Sequence, residues 1–309
     1  MSTKPKILIG YDGSDCADAA LDDLTHAGLP HHAEVQILSI AEWLSPAPAS
    51  SYEIVDQKSV PVSGCVAAKA ALGLAEKACD RLRTNFPNWI VHASSACSSP
   101  ASKLIERAGE WKPDLIVVGS HGRTALGRLM LGSVSQQVST AAPCSVRIAR
   151  GRVEESDYPV RIIVGFDGSP ASLDAVREVA ARQWPALTEV KVVVVDDPLF
   201  PDFLGVIPPL AKVIAEDRDQ EKDWANKIST EPLALLRRSG VKASSELREG
   251  DPKKELPKAA EEWGADCIFL GSVGFNNRFE RLVLGSVSAA VAARARCSVE
   301  VVRSKPKNK

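Results

Sequence analysis

Short runs of Val, Ile and Leu recur along this chain and alternate with longer amphipathic stretches. Segments such as LIVV (115–118) and VKVVVV (190–195) are nearly unbroken in apolar character. That is the pattern of parallel strands covered on both faces, not of strands with one wet side. The first half predicts strands at 6–10, 34–41, 90–96, 115–119 and 144–149, helices at 16–27, 65–85, 100–111 and 133–142, and a long loop at 44–62. The second half predicts strands at 161–165, 189–195, 242–247, 267–271 and 298–303, helices at 170–183, 211–238, 252–263 and 286–295, and a loop at 196–210. Such alternation specifies an α/β fold: two tandem, doubly wound, five-stranded parallel-sheet domains of Rossmann-like (HUP-type) architecture. Ser99-Pro100 and Asp251-Pro252 set a cap residue before a proline at the same helix start in both halves.

The halves are copies of one another. KILIGYDGSDCADAAL (6–21) matches RIIVGFDGSPASLDAV (161–176), WKPDLIVVGSHG (111–122) matches WGADCIFLGSVG (263–274), and MLGSVSQQVSTAAPCSVRIAR (130–150) matches VLGSVSAAVAARARCSVEVVR (283–303). A period of about 150 residues is far longer than a solenoid repeat and marks a duplicated domain. The charged, proline-ended GRVEESDYP (151–159) serves as a linker, giving domains 1–153 and 154–309.

Composition narrows the function classes. The net charge is −1, with neither half strongly charged, which argues against nucleic acid or an anionic membrane as the main partner. The first residues lack a signal-like apolar core and no run reaches membrane length. Seven scattered cysteines without a C-x-x-C pattern indicate a reducing, cytoplasmic setting. The five histidines form no metal-binding motif.

The densest chemistry lies in IVVGSHGRTALGRLMLGSVS (116–135). Within it, GRTALGRL resembles the phosphate loop of nucleoside triphosphatases, but Arg128 and Leu129 stand where that loop needs Lys and Ser or Thr. What remains is an anion site of another kind. Gly119 and Gly122 let the backbone turn at the carboxyl end of a strand, where open parallel sheets bind ligands. Gly132-Ser133-Val134-Ser135 opens a helix whose first N–H groups have no intrahelical partner, and the two serine hydroxyls add donors. Read alone, the same residues also suit plain turns and a capped helix.

Gly119-Ser-His-Gly122, nine residues (123–131), then Gly132-Ser133, after a strand of an α/β domain, resembles the nucleotide motif of the universal stress protein family. The resemblance spans both halves and implies a tandem member that binds an adenine nucleotide, ATP, with Mg2+ as an optional companion. It implies that Asp12 accepts from the ribose hydroxyls, that backbone groups near Ile40 read the adenine edge, and that Arg123 reaches terminal phosphates. An Asp in D-G-S also suits a bond to its own turn. The second copy keeps Asp167, Val195, Gly271, Gly274 and Gly285-Ser286-Val287-Ser288, but has ten residues (275–284) where the motif has nine. Glu280 in that insert would repel phosphate if turned inward, so a second nucleotide site is open either way.

Family members dimerise through their last strands, which implies an intramolecular pseudo-dimer of the halves here and leaves a homodimer open. Arg147 and Glu300 occupy equivalent positions in those strands, so the expectation is a favourable charge pair between the copies. A regulatory nucleotide-binding role is the leading expectation, with no catalytic residue assigned. The alternative is a weak ATP hydrolase or phosphotransferase at the same site, for which His121 is the one candidate base and Val273 replaces it in the second copy. G-Y-D-G-S-D lacks the G-x-G-x-x-G of dinucleotide carriers.

Overall fold

A computed structural model describes residues 4–42, 52–55, 58–122, 131–151, 159–197, 218–272 and 284–304. Two compact units divide the chain, Met1–Gly151 and Arg152–Lys309.

Unit 1 contains β1 (Lys6–Gly10), α1 (Asp15–Asp23), β2 (Glu34–Ala41), β3 (Tyr52–Val55), β4 (Lys58–Pro61), α2 (Val62–Asn85), β5 (Ile90–Cys97), α3 (Pro100–Trp111), β6 (Leu115–Gly119), α4 (Ser133–Ala141) and β7 (Ser145–Ala149). Its parallel sheet runs in the order β5-β2-β1-β6-β7. The switch in direction of chain progression falls between β1 and β6, the place where doubly wound sheets bind ligands.

Unit 2 repeats the plan with β8 (Arg161–Gly165), α5 (Pro170–Ala181), β9 (Glu189–Asp196), α6 (Arg218–Arg238), β10 (Lys242–Glu249), α7 (Pro252–Trp263), β11 (Cys267–Gly271), α8 (Ser286–Arg294) and β12 (Ser298–Val302). These strands are likewise parallel, in the order β10-β9-β8-β11-β12.

The central strands are buried on both faces, as their unbroken apolar runs require: Ile7, Leu8 and Ile9 of β1 are all within 1% of full burial. One layer packs Ile7, Ile9, Val35, Ile37 and Val117 against Ala17, Leu21, Ala75 and Leu82 of α1 and α2. The same layer recurs in unit 2 around Ile162, Val164, Val192, Val194 and Phe269. Burying a Val, Leu or Ile side chain stabilises by roughly 1.5–3 kcal/mol, so these layers dominate the folding energy.

Three expectations need correction. The stretch 44–62 is not all loop: β3 and β4 form an antiparallel hairpin, with Tyr52 opposite Pro61 and Val55 opposite Lys58. The first helix stops at Asp23 and tightens into a 3-10 turn over Leu24–His26. At the paired Ser/Asp-Pro helix starts, Asp251 caps by accepting from Lys253 N–H, whereas the Ser99 side chain makes no cap bond. The loop 198–210, the linker 152–158 and the second-copy insert 275–283 lie outside the described residues. Among the described residues no helix is long and apolar enough to cross a membrane.

Candidate functional site

The first candidate site forms where the carboxyl ends of β1 and β6 meet the start of α4. Gly119 ends β6 against the first turn of α1. A Cβ there would lie 3.0 Å from Cys16 O and 3.3 Å from Ala17 N, so this glycine is needed for helix-to-strand contact in addition to any ligand. Gly122 borders Asp12 in the same way, since its Cβ would lie 3.0 Å from Asp12 Oδ2. Gly132 packs on the strand-end turn, donates its N–H to Ser120 O at 2.8 Å, and would push a Cβ to 3.2 Å from that oxygen. Residues from three separate parts of the chain are thereby locked together.

Gly132 is the N-cap of α4 and supplies no side-chain cap. Gln136 N–H begins the intrahelical ladder by donating to Gly132 O. Among the described residues, no acceptor takes the N–H groups of Ser133, Val134 and Ser135. Such donors, with about half a positive charge from the helix dipole, favour an anion. Ser133 is exposed. Ser135 departs from expectation: it is buried and its hydroxyl donates to Gly119 O at 2.6 Å. Its one hydrogen holds α4 to β6, so Ser135 contributes its backbone N–H and not its O–H.

Asp12 follows β1 and is half-buried. Its Oδ1 accepts from Ser14 N–H at 3.0 Å and from the Ser14 hydroxyl at 2.6 Å, and Ser14 in turn caps α1 through Ala17 N–H. The carboxylate therefore has a turn-forming task whatever else it does. Ile40 lies in β2, opposite Ala96 of β5, one residue beyond Ser39, whose buried hydroxyl donates to Tyr11 O at 2.7 Å. That bond ties the end of β2 to the turn carrying Asp12. Ser39 carries no signal in the sequence pattern. Ser120 does carry one, since Ser272 repeats it in the second copy.

His121 sits between the two glycines. Its Nδ1 is 3.0 Å from Ser120 Oγ, and its buried Nε2 has no hydrogen-bond partner among the described residues. Burial, then the charge of Arg150, pushes its pKa below the usual histidine value, which favours the neutral ring. Arg123 lies outside the described residues.

Unit 2 rebuilds most of this geometry. Ser288 Oγ donates to Gly271 O at 2.7 Å, Gly285 N–H donates to Ser272 O at 2.6 Å, and Gly285 caps α8 without a side chain. Asp167 Oδ1 accepts from Ser169 N–H at 2.9 Å, but the Ser169 hydroxyl turns to Ser172 instead of the carboxylate. The first helical N–H groups, of Ser286, Val287 and Ser288, match those of unit 1. Val195 of β9 is nearly buried, opposite Arg248. Gly274 lies outside the described residues. Among the described residues no group of three His, Cys, Asp or Glu side chains is placed to hold a metal ion.

The equivalent residues Arg147 and Glu300 each have a counter-charge inside their own unit. Arg147 Nε donates to Asp23 Oδ2 at 2.6 Å, with both side chains buried. Glu300 takes both terminal nitrogens of Arg182, which also binds Glu178. Position 178 is the counterpart of 23, so the second copy reverses the strand charge and inserts an arginine between two acids.

The fold and site together define a duplicated, doubly wound α/β protein in which, in each copy, a strand ends on a glycine and a helix starts without a side-chain cap. The sequence profile of the universal stress protein family matches it twice, over residues 5–150 and 160–303, and the chain belongs to that family. A universal stress protein of Mycolicibacterium smegmatis is 28% identical over 309 residues, covering 98% of both chains. One from Mycobacterium tuberculosis is 26% identical over 96% of both. The crystal structure of a universal stress protein from Archaeoglobus fulgidus superposes with a TM-score of 0.64 at 18% identity, over 96% of this chain and 98% of that one.

Proposed function

We propose that this protein binds ATP in unit 1 as a regulatory nucleotide-binding protein. The observation that carries the reading is the convergence, at the carboxyl ends of β1 and β6, of three helix-start N–H groups that no described residue accepts from, the Gly119–Gly122 turn and the Asp12 carboxylate. The N–H groups of Ser133, Val134 and Ser135 would hold phosphate, Asp12 the ribose hydroxyls, and the Ile40 backbone the adenine. Arg123 would add charge at the terminal phosphate. The family's G-x-x-G, nine residues, G-S spacing supports the assignment. Gly122 and Gly132 fit it physically, because a side chain on either would crowd the carboxylate or the turn.

Unit 2 supports a second, weaker site at Asp167, Val195, Gly271, Gly274 and Gly285–Ser288. Calorimetric titration of nucleotide-stripped protein with ATP tests both. One site lost on Gly132→Val supports the cradle in unit 1, and a second surviving that change supports the one in unit 2. No binding by the parent chain would sink the proposal.

A further inference from the structure

β5 stands at an end of the strand order and, among the described residues, pairs only with β2. Ile90 N–H donates to Ala33 O and Ser98 N–H to Ala41 O. In this parallel ladder the even-numbered residues therefore bond to β2, and the odd-numbered ones turn both N–H and C=O outward. Val91 O is covered by Arg83 Nη2 of α2 at 2.9 Å. Ala93, Ser95 and Cys97 are not: among the described residues nothing takes their outward donors and acceptors. Backbone groups of this kind form a template for another strand.

The equivalent edge in unit 2 makes the contrast. Arg237 Nη2 covers Ala243 O at 3.2 Å, the same device at the same place. Beyond it β10 carries charge: Arg248 binds Glu246, Glu255 and Glu262, and Glu246 also binds Lys191. Charged side chains along an edge oppose the docking of a further strand. The sequence of β5, IVHASSAC, has no Asp, Glu, Lys or Arg. One copy guards its open edge and the other does not.

We infer that the β5 edge is an interaction surface for the β5 edge of a second copy of this chain, paired antiparallel about Ser95. The open stretch 93–97 is symmetric about that residue. Ala93 then faces Cys97 of the second copy, and Ser95 faces its own counterpart, each facing pair exchanging two backbone hydrogen bonds. Self-pairing is what a neutral strand of small side chains permits, because no like charges meet across the axis. The two-fold contact closes on itself, so it yields a dimer and not a filament. It is independent of the nucleotide reading.

Light scattering over a concentration series, with hydrogen exchange on the peptide spanning 90–97, tests the inference on the full chain. The parent should move from 33.1 kDa toward twice that mass as concentration rises. The amides of Ala93, Ser95 and Cys97 should slow in exchange over the same range. Ser95→Lys sets two like charges opposite each other and should hold the mass at 33.1 kDa with thermal melting retained. Ser245→Lys on β10 should dimerise as the parent does. A parent that stays monomeric, or a dimer whose mass ignores Ser95→Lys, overturns the inference. If Ser95→Lys fails to fold, exchange in the parent decides: protection of 93–97 that is independent of concentration overturns it.

Discussion

Replacing Asp12 by Asn and by Ala separates the charge of this carboxylate from its hydrogen-bonding shape. Its Oδ1 accepts two bonds from Ser14, at 3.0 and 2.6 Å, and Ser14 caps α1. Asn keeps an oxygen for both, so Asp12→Asn should cost little stability. Ala removes both acceptor contacts at a half-buried site, which should cost about 1–2 kcal/mol. For a unit of this size that lowers Tm by roughly 2–8 °C. Nucleotide affinity should respond differently. A hydrogen bond to a charged group contributes about 1.5–3 kcal/mol, so Asp12→Ala should weaken ATP binding ~10- to 150-fold. Asn retains a neutral acceptor and should lose about 1 kcal/mol, a factor of roughly 5. Scanning calorimetry reads the first effect and ATP titration the second. A lowered Tm with unchanged affinity in Asp12→Ala would confine the residue to its turn and refute the ribose assignment.

Three further outcomes are expected. Burial, and then the bond from its hydroxyl to Asp18 Oδ1, raises the Tyr11 pKa from 10.0 to about 12. The folded chain thus holds this proton more tightly than the unfolded one, so the stabilisation is complete below pH 10 and is lost as pH rises through about 12. Tyr11→Phe should remove an absorbance step near pH 12, while an unchanged titration curve would contradict the buried bond. Arg182→Met removes the guanidinium fork on fully buried Glu300 and should destabilise unit 2 by about 3 kcal/mol, whereas Glu178→Ala, at a carboxylate 39% exposed, should cost under ~1 kcal/mol. Equal losses in denaturant melts would show that burial does not set the energy of this cluster. Gly271→Ala places a Cβ 2.6 Å from Ala171 C and should cost about 1–3 kcal/mol, while Gly109→Ala, in open space on a helix, should stabilise by roughly 0.5–1 kcal/mol.

Elements whose apolar residues repeat with a local period are legible in the sequence alone. The strands at 34–41, 115–119, 161–165 and 267–271 and the helices at 100–111 and 252–263 match their expected limits. The hairpin Tyr52–Pro61 is not legible in the same way, because the preceding SPAPASS marks a loop and the strands are short, with Pro61 in one of them. The glycines of the candidate site are visible through the internal repeat. Their separate duties are not: Gly119 abuts the backbone of Cys16, more than a hundred positions away in the chain, and no local pattern encodes such an approach.

By itself the sequence determined the duplication, the parallel α/β plan and the glycine-serine spacing after one strand of each copy, because these depend on periodicity and on the intrinsic freedom of residue types. Only the tertiary structure decided which groups those residues spend their hydrogen bonds on. Ser135 commits its hydroxyl to Gly119, and Arg147 finds Asp23 across 124 positions of sequence. The physical reason is that backbone propensity acts over a few neighbours, whereas the partner of a buried polar group is selected by what folding brings within about 3 Å of it.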